Sequence, residues 1–256
     1  MNLDLFSSSF NQIYLDESSH RYILPDGTEY TSVTELIKKY EHEFNQELIA
    51  EKTAKKRKVS KEQLLLEWRT KGENSRKKGT SIHKYVESYF LGNKDLPKED
   101  DDYFNLKIQF HNFYNDFMKD KVWIYSEKII YHPGIKIAGT IDCLVYCPKE
   151  DIFYFIDWKT NDKLSWDNKY SFLKFPLNKY EASNLNTYSL QISLYRYIIE
   201  EQILIKSHSM NEVKDKAKNL IVLFSDSNNV YSVYETPYYK YSIVQLLNNY
   251  NLTKGK

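Results

Sequence analysis

The segment FYFIDWKT, Phe153 to Thr160, carries an apolar strand pattern straight into a carboxylate and an ammonium. Strand alternation puts Asp157 and Lys159 on one face, with Ile156 and Trp158 on the other. The preceding run, IKIAGTIDCLVYC, reads as a second strand joined to the first by Pro148-Lys149-Glu150-Asp151. With those four residues as the loop, Cys147 faces Ile152 and Asp142 falls opposite Asp157. Opposed Cβ atoms in an antiparallel pair lie roughly 4.5–5.5 Å apart. Two carboxylates at that distance repel, and a divalent cation removes the conflict. One or two carboxylates suit Mg²⁺, which keeps waters for a substrate. A neighbouring lysine can then orient or deprotonate an attacking water, or offset charge building on a phosphate. The other reading of the same residues is a surface hairpin with an Asp–Lys ion pair, and a slip of one residue would turn Asp142 away.

Two helical patterns supply further pairs. In GTSIHKYVE, His83 and Glu87 are four apart and share a helix face, as do Gln191 and Tyr195 in LQISLYRYI. His83 follows a Gly-Thr-Ser helix start and the basic triplet Arg76, Lys77 and Lys78, which favours a ligand role. Gln191 and Tyr195 read either as site residues or as the polar edge of a core helix. From Lys52 to Lys84 there are 12 Lys/Arg against 3 Glu. Solvated helix faces and phosphate contact explain that excess equally well.

The elements that must position these residues follow from pattern and turn chemistry. Ile13 to Tyr30 reads as a hairpin around Pro25-Asp26-Gly27, followed by a helix capped by Ser32 or Thr34. Helical segments are expected at Glu43–Lys58 and Lys61–Trp68, then a helix from Gly79 to Phe90 opened by Thr80 or Ser81. The acidic loop KDLPKEDDD leads to a helix from Tyr103 to Lys119. Strands follow at Lys121–His132, Ile135–Cys147 and Ile152–Lys159. A polar, aromatic segment spans Asn161 to Asn186, and its Trp166, Tyr170, Phe172 and Phe175 read as base-stacking residues or as the core of an irregular insertion. A helix from Leu190 to Ile205, strands at Leu220–Ser225 and Tyr231–Tyr234, and a helix from about Tyr241 complete the chain. This order implies a mixed sheet with helices packed on it.

Composition sets outer limits. The 256 residues suffice for one elaborated domain, and a net charge of +1 excludes a uniformly basic coat but leaves room for local patches. With 23 Tyr and 7 Gly the chain is not of low complexity. Cys143 and Cys147 share a strand face roughly 13 Å apart, too far for a disulfide, and read as reduced core residues. Two thiols cannot make a four-cysteine metal site. No basic n-region opens the chain and no run of about 18 apolar residues occurs, so the expectation is a cytoplasmic protein with no membrane span.

Taken together, His83 and Glu87, Gly139-Thr140-Ile141-Asp142, Asp157-Trp158-Lys159, and Gln191 to Tyr195 occur in the order seen in the PD-(D/E)XK nuclease superfamily. The chain resembles its RecB-like exonuclease branch over roughly residues 79 to 226, and YTSVTELI is similar to phage and bacterial members. The resemblance implies an α/β (mixed α+β) fold with a restriction-endonuclease-like core, a central mixed sheet flanked by helices. Residues 1–78 would form an N-terminal hairpin and basic helical extension, and residues 79–256 the core, with an insertion at about 161–186. It also implies metal-dependent cleavage of DNA. Asp142 and Asp157 would bind Mg²⁺ or Mn²⁺, with His83 and the Trp158 carbonyl completing the shell. Lys159 would serve the nucleophilic water and Glu127 would assist. Glu87, Thr160, Gln191 and Tyr195 would support the site, and Arg76, Lys77 and Lys78 would contact the nucleic acid. The four-cysteine cluster of the CRISPR-associated relatives is absent, so no iron–sulfur cluster is expected. The leading expectation is an exonuclease on single strands or DNA ends in replication, recombination or repair. A replication or recombination protein is a candidate partner. The alternatives are an endonuclease of restriction or resolvase type and a catalytically silent nucleic-acid-binding scaffold.

Overall fold

In the computed structural model, residues 10, 12–16, 19, 21–204, 216–227 and 229–254 are described. Three short strands open the fold: β1 (Tyr14–Asp16), β2 (Arg21–Ile23) and β3 (Glu29–Ser32). The Ser32 hydroxyl accepts from the Glu35 N–H and starts α1 (Val33–Lys38). Next come α2 (Gln46–Arg57), α3 (Lys61–Phe90) and α4 (Phe104–Phe113), the last continuing as a π-helical turn over Tyr114–Met118. A meander follows: β4 (Val122–His132), β5 (Ile137–Cys147) and β6 (Ile152–Lys159). The chain ends with α5 (Asn184–Ile199), β7 (Ala217–Leu223), β8 (Ser232–Thr236) and α6 (Lys240–Lys254).

The strands form one mixed sheet in the order β1-β2-β3-β5-β6-β7-β8, with β4 paired to β5. β3–β5 and β6–β7 run parallel, the other pairs antiparallel. β6 divides its side chains by alternation. Phe153 and Phe155 join the core made with α1, α5 and α6, while Tyr154, Ile156 and Trp158 join the core made with α3 and α4. This is the expected central mixed sheet flanked by helices.

The pairing of β5 creates the site. β4 occupies one edge of β5 along its whole length, so β3 and β6 must share the other. β3 pairs with Ile137 and Ala138, and β6 only with Cys143 to Cys147. Between them, Gly139 to Asp142 has no strand on that edge, and the sheet opens there.

Two helix starts differ from expectation. Lys61 to Phe90 is one helix of 30 residues, capped by Ser60, whose hydroxyl accepts from the Gln63 N–H. Gly79-Thr80-Ser81 therefore lies inside α3 and opens nothing. The Ser60-Lys61-Glu62-Gln63 capping box is the stronger signal, and burial of Ile82, Val86 and Tyr89 carries the helix through the glycine. α5 starts at Asn184, because Ser183 caps it through the Asn186 N–H. Its first turns are polar, which hid the start. Its expected end at Ile205 lies outside the described residues.

The N-terminal region also carries one strand more than the expected hairpin. In the segment after β6, Leu164, Leu173 and Leu177 are buried, whereas Trp166, Tyr170, Phe172 and Phe175 are all exposed. The aromatic residues are thus not the core of that insertion. Both cysteines are buried and free. Among the described residues, no helix is long and apolar enough to cross a membrane.

Candidate active site

Asp142 sits where the sheet opens. The β5–β6 register follows the expected one from Cys147↔Ile152 to Cys143↔Ile156 and stops there. The next pair would be Asp142 and Asp157, and opposed carboxylates do not sustain a ladder. The Asp142 carboxylate instead accepts the Trp158 N–H at 2.8 Å, replacing a backbone acceptor with a side chain. On the other flank, β4 pairs Ser126↔Cys143 and Lys128↔Ile141 and skips Glu127. Glu127 has φ +47°, an uncommon conformation for a residue with a Cβ. That twist belongs to the position facing Asp142.

His83 reaches this point from α3. Its Nδ1 lies 2.9 Å from Glu127 Oε1 and 3.7 Å from Asp142 Oδ1. Its Nε2 lies 3.2 Å from the Trp158 carbonyl oxygen. Both ring nitrogens thus face acceptors only, and a neutral imidazole has one donor. Burial alone would lower the His83 pKa, but Asp142 and Glu127 outweigh it and raise it to about 9. Burial likewise raises the Asp142 pKa, opposed by His83 and reinforced by Glu127.

Asp157 is 1 % exposed and faces Lys159, whose Nζ lies 2.6 Å from Oδ2. The ammonium meets Oδ2, whereas Asp157 Oδ1 is buried without a hydrogen-bond partner. Burial pushes its pKa up to about 6, with Lys159 opposing and Asp142 reinforcing. For Lys159 burial favours the neutral form, yet Asp157 and Asp142 outweigh it and raise the pKa above the ordinary lysine value. The ammonium also lies 4.5 Å from the ring centroid of Tyr188 on α5.

A donor set for a cation is present. Ligand atoms of His83, Glu127 and Asp142 fall within 4.8 Å of one another, with the Trp158 carbonyl against the same imidazole. The hard oxygen ligands suit Mg²⁺ or Mn²⁺, and the imidazole nitrogen suits Mn²⁺ better than Mg²⁺. The clustered carboxylates and the buried, unpartnered Asp157 Oδ1 fit a positive charge at this place. Asp157 itself is beside Lys159 rather than in the trio, and Glu127 is one of its three members.

The remaining expected residues divide. Gln191 donates to the Tyr195 hydroxyl at 2.9 Å, and the Tyr195 ring packs on Gly139, where an added Cβ would lie 2.5 Å from Cε1. Thr160 and Arg76 line a cavity of about 390 Å³ with His83, Trp158 and Lys159. Glu87 lies one turn along α3 and outside the trio. The basic triplet fans out around α3. Arg76 faces the site cavity, Lys77 a shallow depression with Glu73 and Thr80, and Lys78 an adjoining cavity. Sequence reasoning missed Tyr188, Lys71, Asp162 and Asp226, whose contacts join segments far apart in the chain.

No protein-family model matches the chain, and no curated protein matches it. Among solved structures, the chain is similar to one described as the crystal structure of SSO0001. Identity is 16 %, covering 88 % of this chain and 76 % of that chain, with a TM-score of 0.33. A likeness that distant bears on neither fold nor chemistry.

Proposed function

We propose that this chain is a metal-dependent DNA nuclease that hydrolyses phosphodiester bonds, acting as an exonuclease on single strands or DNA ends. The observation that carries the reading is the convergence of His83, Glu127, Asp142 and the Trp158 carbonyl beside the Asp157–Lys159 pair. His83, Glu127 and Asp142 would hold Mg²⁺ or Mn²⁺, with the Trp158 carbonyl and Asp157 at its margin. When bound, the cation supplies a Lewis acid for a phosphoryl oxygen and makes a water more acidic.

The chain's own groups do the rest. Lys159, kept protonated by Asp157 and Asp142, is a donor and a positive charge at the wall of the cavity. It orients a water or offsets charge on a phosphoryl oxygen. Tyr188 and Asp157 fix its position. Arg76 lines the same cavity and offers a fork of N–H donors to a phosphate. Gln191 fixes Tyr195, which braces Gly139 three residues before Asp142. The test compares linear and covalently closed single-stranded DNA with Mn²⁺. Short products from linear strands and resistance of circles are expected. Equal cutting of circles would replace the exonuclease with an endonuclease.

A further inference from the structure

A cavity larger than the one at this chemistry lies beside it. It measures about 770 Å³ and runs along α3, lined by Leu66, Thr70 and Asn74, with Tyr103 at the start of α4. Lys71 and Ser75 line both this cavity and the site cavity, so the two adjoin. Acidic groups bridge the junction. Lys71 Nζ lies 3.3 Å from Asp162 Oδ2, and Lys78 Nζ lies 3.9 Å from Asp162 Oδ1 and 2.8 Å from Asp226 Oδ2. The Lys78 side chain is only 12 % exposed, so its ammonium is held rather than solvated. Asp162 and Asp226 come from the loops after β6 and β7, at the end of the sheet that carries Lys159.

We infer that this cavity is a second strand-binding subsite of the nuclease reading, in which substrate phosphates displace Asp162 and Asp226 from Lys71 and Lys78. The carboxylates occupy, within the fold, the places that phosphates of a bound strand would take. Leu66 and the Tyr103 ring give the cavity an apolar lining against which a base can stack. The exchange has a direct consequence. Lysines already neutralised by the protein bind a polyanion less tightly than free ones, because part of the attraction goes into releasing the carboxylate.

Binding of a fluorescently labelled twelve-residue oligothymidylate, measured by anisotropy in EDTA, tests this without any cleavage. Asp162→Asn is expected to tighten binding roughly three- to ten-fold at 0.1 M salt. Its log K against log salt should steepen by about 0.7 for each further phosphate that the freed lysines neutralise. Lys71→Gln with Lys78→Gln should weaken binding, and Asp162→Asn added to that pair should then have no effect. Lys71 and Asp162 are exposed while Lys78 is largely covered, and melting temperatures check that the variants fold. The inference is overturned if the wild type does not bind, if Asp162→Asn changes nothing, or if it tightens binding equally in the double-glutamine background. That last result would mean simple long-range repulsion. Since EDTA is present, an absence of cleavage with Mg²⁺ and Mn²⁺ would sink the nuclease reading without deciding this one.

Discussion

Asp142 receives a backbone N–H from one neighbouring strand, faces a twisted glutamate on the other and approaches an imidazole from α3. The protonated His83 supplies a positive charge among these acidic groups, and a bound cation would take the place of its proton, binding the native cluster and not the unfolded chain. Mn²⁺ should therefore raise the melting temperature. At one hundred times its Kd the gain is about 2.7 kcal/mol, or roughly 5–10 °C for a domain of this size. Asp142→Asn and Glu127→Gln should suppress most of that shift, read by thermal unfolding with and without Mn²⁺. An equal shift in both variants would place the ion elsewhere. Lys159 has a different signature. Lys159→Ala should keep the Mn²⁺ shift yet lose at least about a hundred-fold in cleavage rate, the scale on which charge stabilisation acts. A variant that loses both would make Lys159 a structural residue.

The elements explain why these residues meet. β5 has two strands competing for one edge, and the opening between them falls at Gly139 to Asp142. Gly139 is required there because the Tyr195 ring fills the space of a Cβ. Gly139→Ala should cost about 1–3 kcal/mol of stability in denaturant unfolding. In combination with Tyr195→Ala it should cost less than the sum of the single changes. Gly79 is the opposite case. It lies inside α3, where an added Cβ meets only Thr160 Oγ1 at 3.6 Å, an ordinary contact. Gly79→Ala should stabilise by about 0.5–1 kcal/mol, whereas a loss of stability would argue against a continuous helix. The meander of β4 to β6 was legible to within two residues, since alternation, a four-residue loop and the carboxylate positions agree. The α3 start was not legible, because Gly-Thr-Ser imitates a cap in the middle of a helix. The left-handed φ of Glu127 has no local sequence signal. Neither do the Asp162 and Asp226 contacts, which depend on the packing of α3 against two loops.

Across the molecule, α3 links a basic arm to the site. Its first half packs on α2 through Ala50, Ala54 and Leu64, and its second half packs on the sheet. Over roughly 30 Å of helix, the face from Gln63 to His83 lines the cavities that lead to Lys159. Reversing Arg76, Lys77 and Lys78 to glutamate should weaken single-stranded DNA binding and flatten its salt dependence, since fewer counterions are released. Unchanged binding in a salt titration would exclude this face as the strand path. Whether the opening in the sheet is a metal-dependent phosphodiesterase site can be decided by a time course on end-labelled linear single-stranded DNA. Wild type, Asp142→Asn and Lys159→Ala are compared with Mg²⁺, Mn²⁺ or EDTA. The wild type should cleave with either metal and not in EDTA, and each folded variant should lose at least about a hundred-fold in rate. Robust cleavage by either variant, or none by the wild type at any metal concentration, would refute the assignment of this site.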